Sequence, residues 1–427
     1  MHPLLRLVGL VAVFLFTTVC WFALAGVTSS RTQEQQYALD GRVADLWGSP
    51  QAQLAPAFIE EWVVERQEAS EVTDPVTGRT MKTSKTVREL QSRPVDPNRS
   101  RIAVDLKLDQ RRKGLLWYPL YDVGFSGDWT YRHEGRDDHL RIVFPFADSQ
   151  GVYDDFAFVV DGVDRARELH PEGGKVYTVV PVTAGQVVSL HIGYTSRGKG
   201  GWSYRPTEGV GQIEDFSLVM NTDFDSIDYP NLTLSPSSRT ATEAGWRLEW
   251  TFSRLVSAYG IGMVMPERVQ PGELSSSISL SAPLSLGLYF LWIYVLGILK
   301  GKSIHPINYL FIAAAFFSFD LLFAYTADRL PVEQAFALAS VVSIGLVASY
   351  LRLVVGSRFA LFEAGLAQLL YQVGFSLAHF WEGTTGLTIT VLGTVTLFAL
   401  MQLTGRIKWS EVLSRQAPAA PLPSPAR

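Results

Sequence analysis

One acidic residue lies where a charge is costly. Asp320 stands in Phe316-Phe-Ser-Phe-Asp-Leu-Leu-Phe-Ala-Tyr325, inside an apolar stretch long enough to cross a bilayer. Counted from Pro306 at the helical rise per residue, it is about 21 Å from the near end. At that depth a carboxylate must find a partner or bind a proton. Tyr371, Gln372 and Phe375 on one neighbouring apolar run, and Ser340 and Ser343 on another, fall at similar depth. The expectation is that Asp320 faces a bundle interior and hydrogen-bonds one of these groups. Asp320, Gln372 and Ser343 form the candidate intramembrane polar site.

Other chemistry-bearing clusters are weaker. Arg132-His-Glu-Gly-Arg-Asp-Asp-His139 has two histidines and three carboxylates, but its Gly-Arg-Asp-Asp centre is the signature of a hairpin tip with solvated charges rather than a metal site. Asp223-Phe-Asp-Ser-Ile-Asp228 lacks the tight oxygen spacing of a calcium loop and is expected to be an acidic loop. Arg197-Gly-Lys-Gly-Gly-Trp-Ser-Tyr-Arg205 matches neither a P-loop nor a dinucleotide fingerprint and reads as a turn between strands. His133, His139, His170 and His191 fall in no Gly-x-Ser-x-Gly elbow or His-Glu-x-x-His helix. No catalytic, cofactor-binding or metal-ligating residue is therefore assigned, and a non-enzymatic role is expected.

The elements that must position Asp320 are hydrophobic segments. Five follow one another between Pro283 and Trp409, and a sixth covers Leu7 to Val27. Each is about 17 to 23 residues long, enough for a hydrocarbon core of roughly 30 Å. Ala23-Leu24-Ala25 before Gly26 could be cut as a signal peptide, but the run is longer than a usual signal core and an uncleaved anchor is preferred. Lys300 and Lys302, Arg352 and Arg358, and Arg406 and Lys408 lie in or flank alternate joints; the opposite joints hold Asp328, Arg329 and Glu333, then Glu382. Retention of cations on the cytoplasmic side puts both termini inside and the large middle region outside. Trp292, Tyr325, Trp381 and Trp409 near segment ends are candidate interfacial anchors. Arg352 and Glu363 are placed for a structural ion pair near the cytoplasmic boundary, and His379 for an interfacial role. Gly386, Thr390, Gly393 and Thr394 form a small-residue face suited to close helix packing.

The chain of 427 residues is 47% hydrophobic, yet its charge is concentrated between Arg31 and Arg268. A formal charge of −4 offers no basic face for nucleic acid. Cys20, the only cysteine, falls in the first apolar run and reads as a buried thiol, leaving the middle region without disulfides. That region opens with a stretch ending at Trp47-Gly48 that partly fits a stalk helix. Phe58 to Glu65 is β-prone, and Ser70 to Asn98, with a Pro75-Val-Thr-Gly78 turn signal, reads as a hairpin loop or mobile insert. From Arg101 to Met265 the period becomes two, as in Ile102-Val104-Leu106-Leu108 and Leu140-Ile142-Phe144-Phe146. About ten short strands argue for an antiparallel sandwich or bent-sheet domain. The expected organisation is an N-terminal transmembrane anchor (1–30), a large extracytoplasmic β-rich domain (31–281), a five-helix transmembrane bundle (282–409) and a disordered tail (410–427).

Three separated pieces carry a resemblance. Arg42-Val-Ala-Asp-Leu-Trp-Gly-Ser-Pro-Gln51 running on to Ala55-Pro56 is the first, and Arg111-Arg-Lys-Gly-Leu-Leu-Trp-Tyr-Pro-Leu-Tyr121 with Gly127 is the second. The third runs from Ile304-His-Pro-Ile-Asn-Tyr309 to Thr404-Gly-Arg-Ile-Lys-Trp409. In order and spacing they are similar to elements of the inner-membrane CreD family of cell envelope integrity proteins. Departures are Asn308, where that family usually has glutamine, and the lack of a basic residue between Ser275 and Leu286. The resemblance implies a bacterial inner-membrane protein connected with envelope integrity or stress, and it supplies no reaction. The reading that follows is a periplasmic domain that binds or senses an envelope component, with the lipid bilayer and envelope proteins, lipids or glycans as partners. A transporter or lipid-handling protein built around Asp320 is the alternative.

Overall fold

The computed structural model describes residues 3–73, 80–136, 138–302, 304–381 and 383–405. The chain forms two compact units. One joins Met1–Ala38, Gly114–Leu116 and Val269–Arg427; the other joins Leu39–Lys113 and Trp117–Arg268.

The helical unit begins with α1, Pro3–Trp47, a single helix of 45 residues whose C-terminal part belongs to the other unit. The expected anchor and stalk are thus continuous, because no proline or paired glycine interrupts the polar stretch after Val27. Helix α2, Pro271–Leu299, starts three turns ahead of the apolar run that begins at Pro283. Those turns hide Ser275, Ser276 and Ser279 in the interior, which a search for apolar residues passes over. Helix α3, Pro306–Thr326, opens on Pro306 in its first turn, and His305 Nδ1 accepts from the Ile307 amide at 3.3 Å. Helix α4 is Val332–Val355. The next helix, α5, covers residues 359–380 and contains two π-helical stretches, Phe359–Gly365 and Leu369–Gly374. Helix α6 is Thr384–Thr404. Among the described residues five helices, α1 to α4 and α6, are long and apolar enough to cross a membrane.

α1 is built into this unit. Gly9 abuts Pro306, Trp21 packs edge-on to Phe317 at 5.8 Å, and Arg31 pairs with Asp328 at 2.9 Å. Along α2, Gly287 faces Phe14, Ser276 Oγ donates to the Ala25 carbonyl at 3.1 Å, and Gly272 faces Thr32. α1 therefore runs in the sense of α3 and antiparallel to α2. Three sequence expectations fail here. Gly386 and Gly393 have open space where a Cβ would point, so the small-residue face of α6 packs on nothing in the described chain. Glu363 pairs with Lys300 rather than Arg352, since the joint after α2 brings the lysine to α5. Cys20 is half-buried rather than enclosed. Trp409 and the tail lie outside the described residues.

The β-rich unit contains β1 Gln51–Leu54, β2 Ala57–Thr73, β3 Thr80–Val95, β4 Arg99–Lys113, β5 Leu116–Arg132, β6 Asp138–Pro145, β7 Tyr153–Val160 and β8 Val163–Asp164. It continues with β9 Lys175–Val182, β10 Val187–Lys199, β11 Gly201–Arg205, β12 Gly211–Thr222, β13 Ser238–Ala241, β14 Trp246–Ser257 and β15 Ile261–Val264. They form sheets of order β13-β14-β12-β4-β5-β10-β7-β8, β3-β2-β6-β9 and β1-β11-β15. Most pairings are antiparallel; β1 on β11 and β4 on β12 are parallel. Alternation puts Ile102, Val104 and Leu106 of β4 and Leu140, Ile142 and Phe144 of β6 into one core with Trp129, Trp202 and Trp250. The described part of the Ser70–Asn98 stretch is mostly strand rather than loop. Its Thr80–Val95 part is β3, paired along its length with β2, and the exposure of both faces explains its polar sequence. Pro75-Val-Thr-Gly78 lies outside the described residues.

Candidate functional site

Asp320 is 2% exposed, inside the helical unit as expected. Its partner is neither Gln372 nor Ser343. The indole Nε1 of Trp21, on α1, donates to Asp320 Oδ2 at 2.9 Å, and Oδ1 has no hydrogen-bond partner among the described residues. Gln372 and Ser343 do meet each other, in a separate cluster. Gln368 Nε2 donates to Ser343 Oγ at 3.0 Å and to Gln372 Oε1 at 2.8 Å. Ser343 Oγ lies 2.9 Å from Gln372 Oε1, and Gln372 Nε2 donates to the Phe316 carbonyl at 3.0 Å. Phe316 is one helical turn before Asp320, so the two polar groups are neighbours along α3 without sharing a direct bond. Gln372 lies in the second π-helical stretch of α5 and Gln368 in the α-helical turn just before it, and both are buried in this interior. Sequence reasoning missed Trp21 and Gln368. The signal for Trp21 was a tryptophan in mid-segment, away from the interface where that residue usually anchors.

The β-rich unit contains an open cleft of about 720 Å³, well within the usual range of ligand sites. Its floor is the outward face of four adjacent strands, β4, β5, β10 and β7. Residues that alternate with core positions point there: Asp105 and Lys107, Asp122 and Gly124, Thr195 and Arg197, and Asp154. Gly124 sits opposite Thr195 in mid-floor, where a missing side chain allows close approach. A register shift between Gly193 and Thr195 leaves an extra residue on β7, with Asp155 at φ 55°, beside Asp154. One wall is the C-terminal turn of α1, with Asp45, Trp47 and Gly48; another is the loop holding Asp148 and Gln150. Arg197 pairs with Asp122 at 2.9 Å, and Asn221 donates to Asp105 at 2.8 Å. Five aspartates and two cations give the lining an acidic balance with many acceptors.

The first two sequence elements of the resemblance meet at this wall. Gly48 ends α1 at φ 94°, and a Cβ there would fall on the Arg197 carbonyl. Gln51 Nε2 donates to Ser196 Oγ and to the Arg197 carbonyl, each at 2.9 Å, tying β1 to β10. Arg111 and Lys113 place their cations 5.9 and 5.3 Å from the Trp47 ring. Gly127 leaves room for the Trp129 ring. Within the third element, Asn308 Oδ1 accepts from Tyr350 at 2.9 Å, whereas Arg406 to Trp409 lie outside the described residues.

The Arg132–His139 segment departs from its expectation. His133 is 1% exposed, with Nδ1 2.7 Å from Glu60 Oε1 and Nε2 on the Arg136 carbonyl. Glu60 also accepts from Tyr131 at 2.6 Å and from Arg93 at 2.6 Å. Burial pushes the Glu60 carboxyl up, but the donors Tyr131, Arg93 and His133 outweigh it and hold the acid below its ordinary range. The side chain is drawn in because Glu60, 73 positions earlier in the sequence, offers an acceptor that local pattern cannot show. His139 remains exposed on β6. The glycine-rich segment is a turn, as expected: Gly200, at φ 79°, passes the chain from β10 to β11, and Trp202 and Tyr204 enter the core. Among the described residues no group of His, Cys, Asp or Glu is arranged to hold a metal ion.

Comparison with known proteins bears on the helical part. The family model described as inner membrane protein CreD matches residues 279–410. Over these residues, about a third of the chain, the helical region is similar to the CreD family. The CreD match includes Asp320, Ser343, Gln368 and Gln372, and begins after the β-rich unit ends. It supports a multi-pass protein in contact with the lipid bilayer. No curated protein matches the chain. A solved structure from Legionella pneumophila, provisionally described as a nutrient binding protein, aligns with 60% of this chain and 82% of its own at 10% identity. Its TM-score of 0.29 supports no inference about fold or function.

Proposed function

We propose that this CreD-like protein is a non-enzymatic binding module of the cell envelope. In this reading both termini are cytoplasmic, the β-rich unit is periplasmic, and the cleft beside Trp47 takes a hydroxyl-rich envelope saccharide. The cleft carries the proposal. Its carboxylates and backbone groups supply acceptors for ligand hydroxyls, Trp47 supplies an apolar wall, and Gly124 leaves the floor open. The orientation rests on the cationic joints at Lys300 and Arg352.

The test is to purify the full chain in native lipid and identify co-purifying saccharides by mass spectrometry. Gly124→Phe, which fills the floor from its outward face, is the paired variant. A saccharide retained by the wild type and lost from Gly124→Phe supports the reading. Identical spectra from both proteins would reject the cleft as the binding site.

A further inference from the structure

We propose that Asp320 is a proton-binding site inside the helical unit, held in place by the Trp21 indole of the N-terminal helix. The two oxygens of Asp320 have different surroundings. Oδ2 accepts the Trp21 N–H at 2.9 Å, as a carbonyl oxygen does, while Oδ1 is buried without a partner among the described residues. That asymmetry suits a carboxylic acid, with the C=O on Oδ2 and the exchangeable proton on Oδ1. A neutral donor such as an indole does not balance a full charge in an apolar interior.

The surrounding groups agree. On α3 itself, Phe319 and Phe323 pack against Leu274 and Ile278 of α2. The next positions along α2, Ser275 and Ser279, are each 1% exposed, and their hydroxyls also lack partners. Ser276 fixes this part of α2 against Ala25, one turn from Trp21 on α1. Among the described residues, the buried or half-buried titratable groups of the packed helices are Arg6, Cys20 and Arg31 on α1, Tyr289 and Tyr294 on α2, Tyr309 on α3, Tyr350 on α4, and Glu363, Tyr371 and His379 on α5; Glu273, Glu333 and Arg352 are exposed near helix ends, and α4 presents Ser340 and Ser343 in the interior. His379 is engaged with Ser281, its Nε2 3.1 Å from the hydroxyl. Arg31, the nearest cation along α1, is committed to Asp328. No cation therefore faces Asp320 among the described residues. A proton needs only the oxygen that Trp21 leaves open, whereas a metal ion would need a shell of oxygens.

Difference infrared spectroscopy of the full chain in lipid tests the proposal. The wild type is expected to show a carboxylic C=O band that changes between about pH 4 and about pH 9 and disappears in Asp320→Asn. In Trp21→Phe, which keeps an aromatic ring against Phe317, the same band moves to higher frequency because its C=O has lost an N–H donor. If Asp320→Asn fails to assemble, the Trp21→Phe shift still decides the assignment. Two results would overturn it: no pH-dependent band that responds to either substitution, or a band that responds to sodium concentration rather than to pH.

Discussion

Replacing Glu60 by alanine removes the acceptor shared by Tyr131, His133 and Arg93, and the three losses differ in size. Tyr131 and His133 are 6% and 1% exposed. Each would be left with a buried donor lacking its acceptor, at about 1–3 kcal/mol apiece. The Arg93 side chain is 62% exposed, so its ion pair is screened and contributes at most about 1 kcal/mol. The expected destabilisation of the β-rich unit is about 3–5 kcal/mol, in line with breaking a buried pair from one side. Arg93→Ala should cost less than about 1 kcal/mol. Pulse proteolysis in increasing urea, on the full chain in lipid, measures both. The pH dependence has a definite sign. The folded Glu60 carboxyl titrates below its ordinary 4.5, so its contribution is complete above that value and fades as pH falls through the folded one. The gap between wild type and Glu60→Gln should narrow in that acid window. Equal costs for Glu60→Ala and Arg93→Ala, or a gap that does not change with pH, would refute the reasoning.

Gly48→Ala places a Cβ on the Arg197 carbonyl at φ 94°; a loss of about 1–3 kcal/mol is expected from the same urea series. Gln53→Leu removes the acceptor of the Tyr194 hydroxyl and the donor to Pro145 in a side chain that is 0% exposed. It should cost about 2–4 kcal/mol in that assay. Gly272→Leu drives a side chain into Thr32 and should lower the thermal transition of the helical unit, whereas Gly386→Leu, on the open face of α6, should leave it unchanged. Light-scattering thermal scans in detergent compare the two.

Much of the architecture was legible because two physical constraints leave strong traces in sequence. A bilayer demands long apolar runs, so α1 to α4 and α6 could be read directly. A half-buried sheet demands alternation, so β4 and β6 could be read from Ile102-Val104-Leu106 and Leu140-Ile142-Phe144. The parts that escaped notice leave no such trace. β3 is exposed on both faces, and its strand character comes from pairing with β2. The first turns of α2 are serine-rich, and they are interior because α1 and the phenylalanines of α3 pack on them. α1 itself read as an anchor, since nothing in its own residues says that Gly9, Trp21 and Arg31 each meet α3.

The polar site shows the same division. Burial of Asp320 followed from its position in an apolar run, but its partner came from 299 residues away, on a helix that local periodicity could not dock. Depth counting placed Gln372 and Ser343 near the same level and could not place them around the helix. They satisfy one another and the Phe316 carbonyl instead. This separation matters for any chemistry in the helical unit. The Gln368–Gln372–Ser343 cluster also leaves one acceptor open, Gln368 Oε1, but its amides and hydroxyl do not ionise, so its hydrogen bonds stiffen the packing without offering a change of charge. A carboxyl with one engaged oxygen and one open oxygen can change its proton occupancy without breaking its only hydrogen bond. On the proposal made above, Asp320 rather than the Gln372 cluster is the residue at which the helical unit changes state, and the Trp21 indole is the contact that ties it to α1.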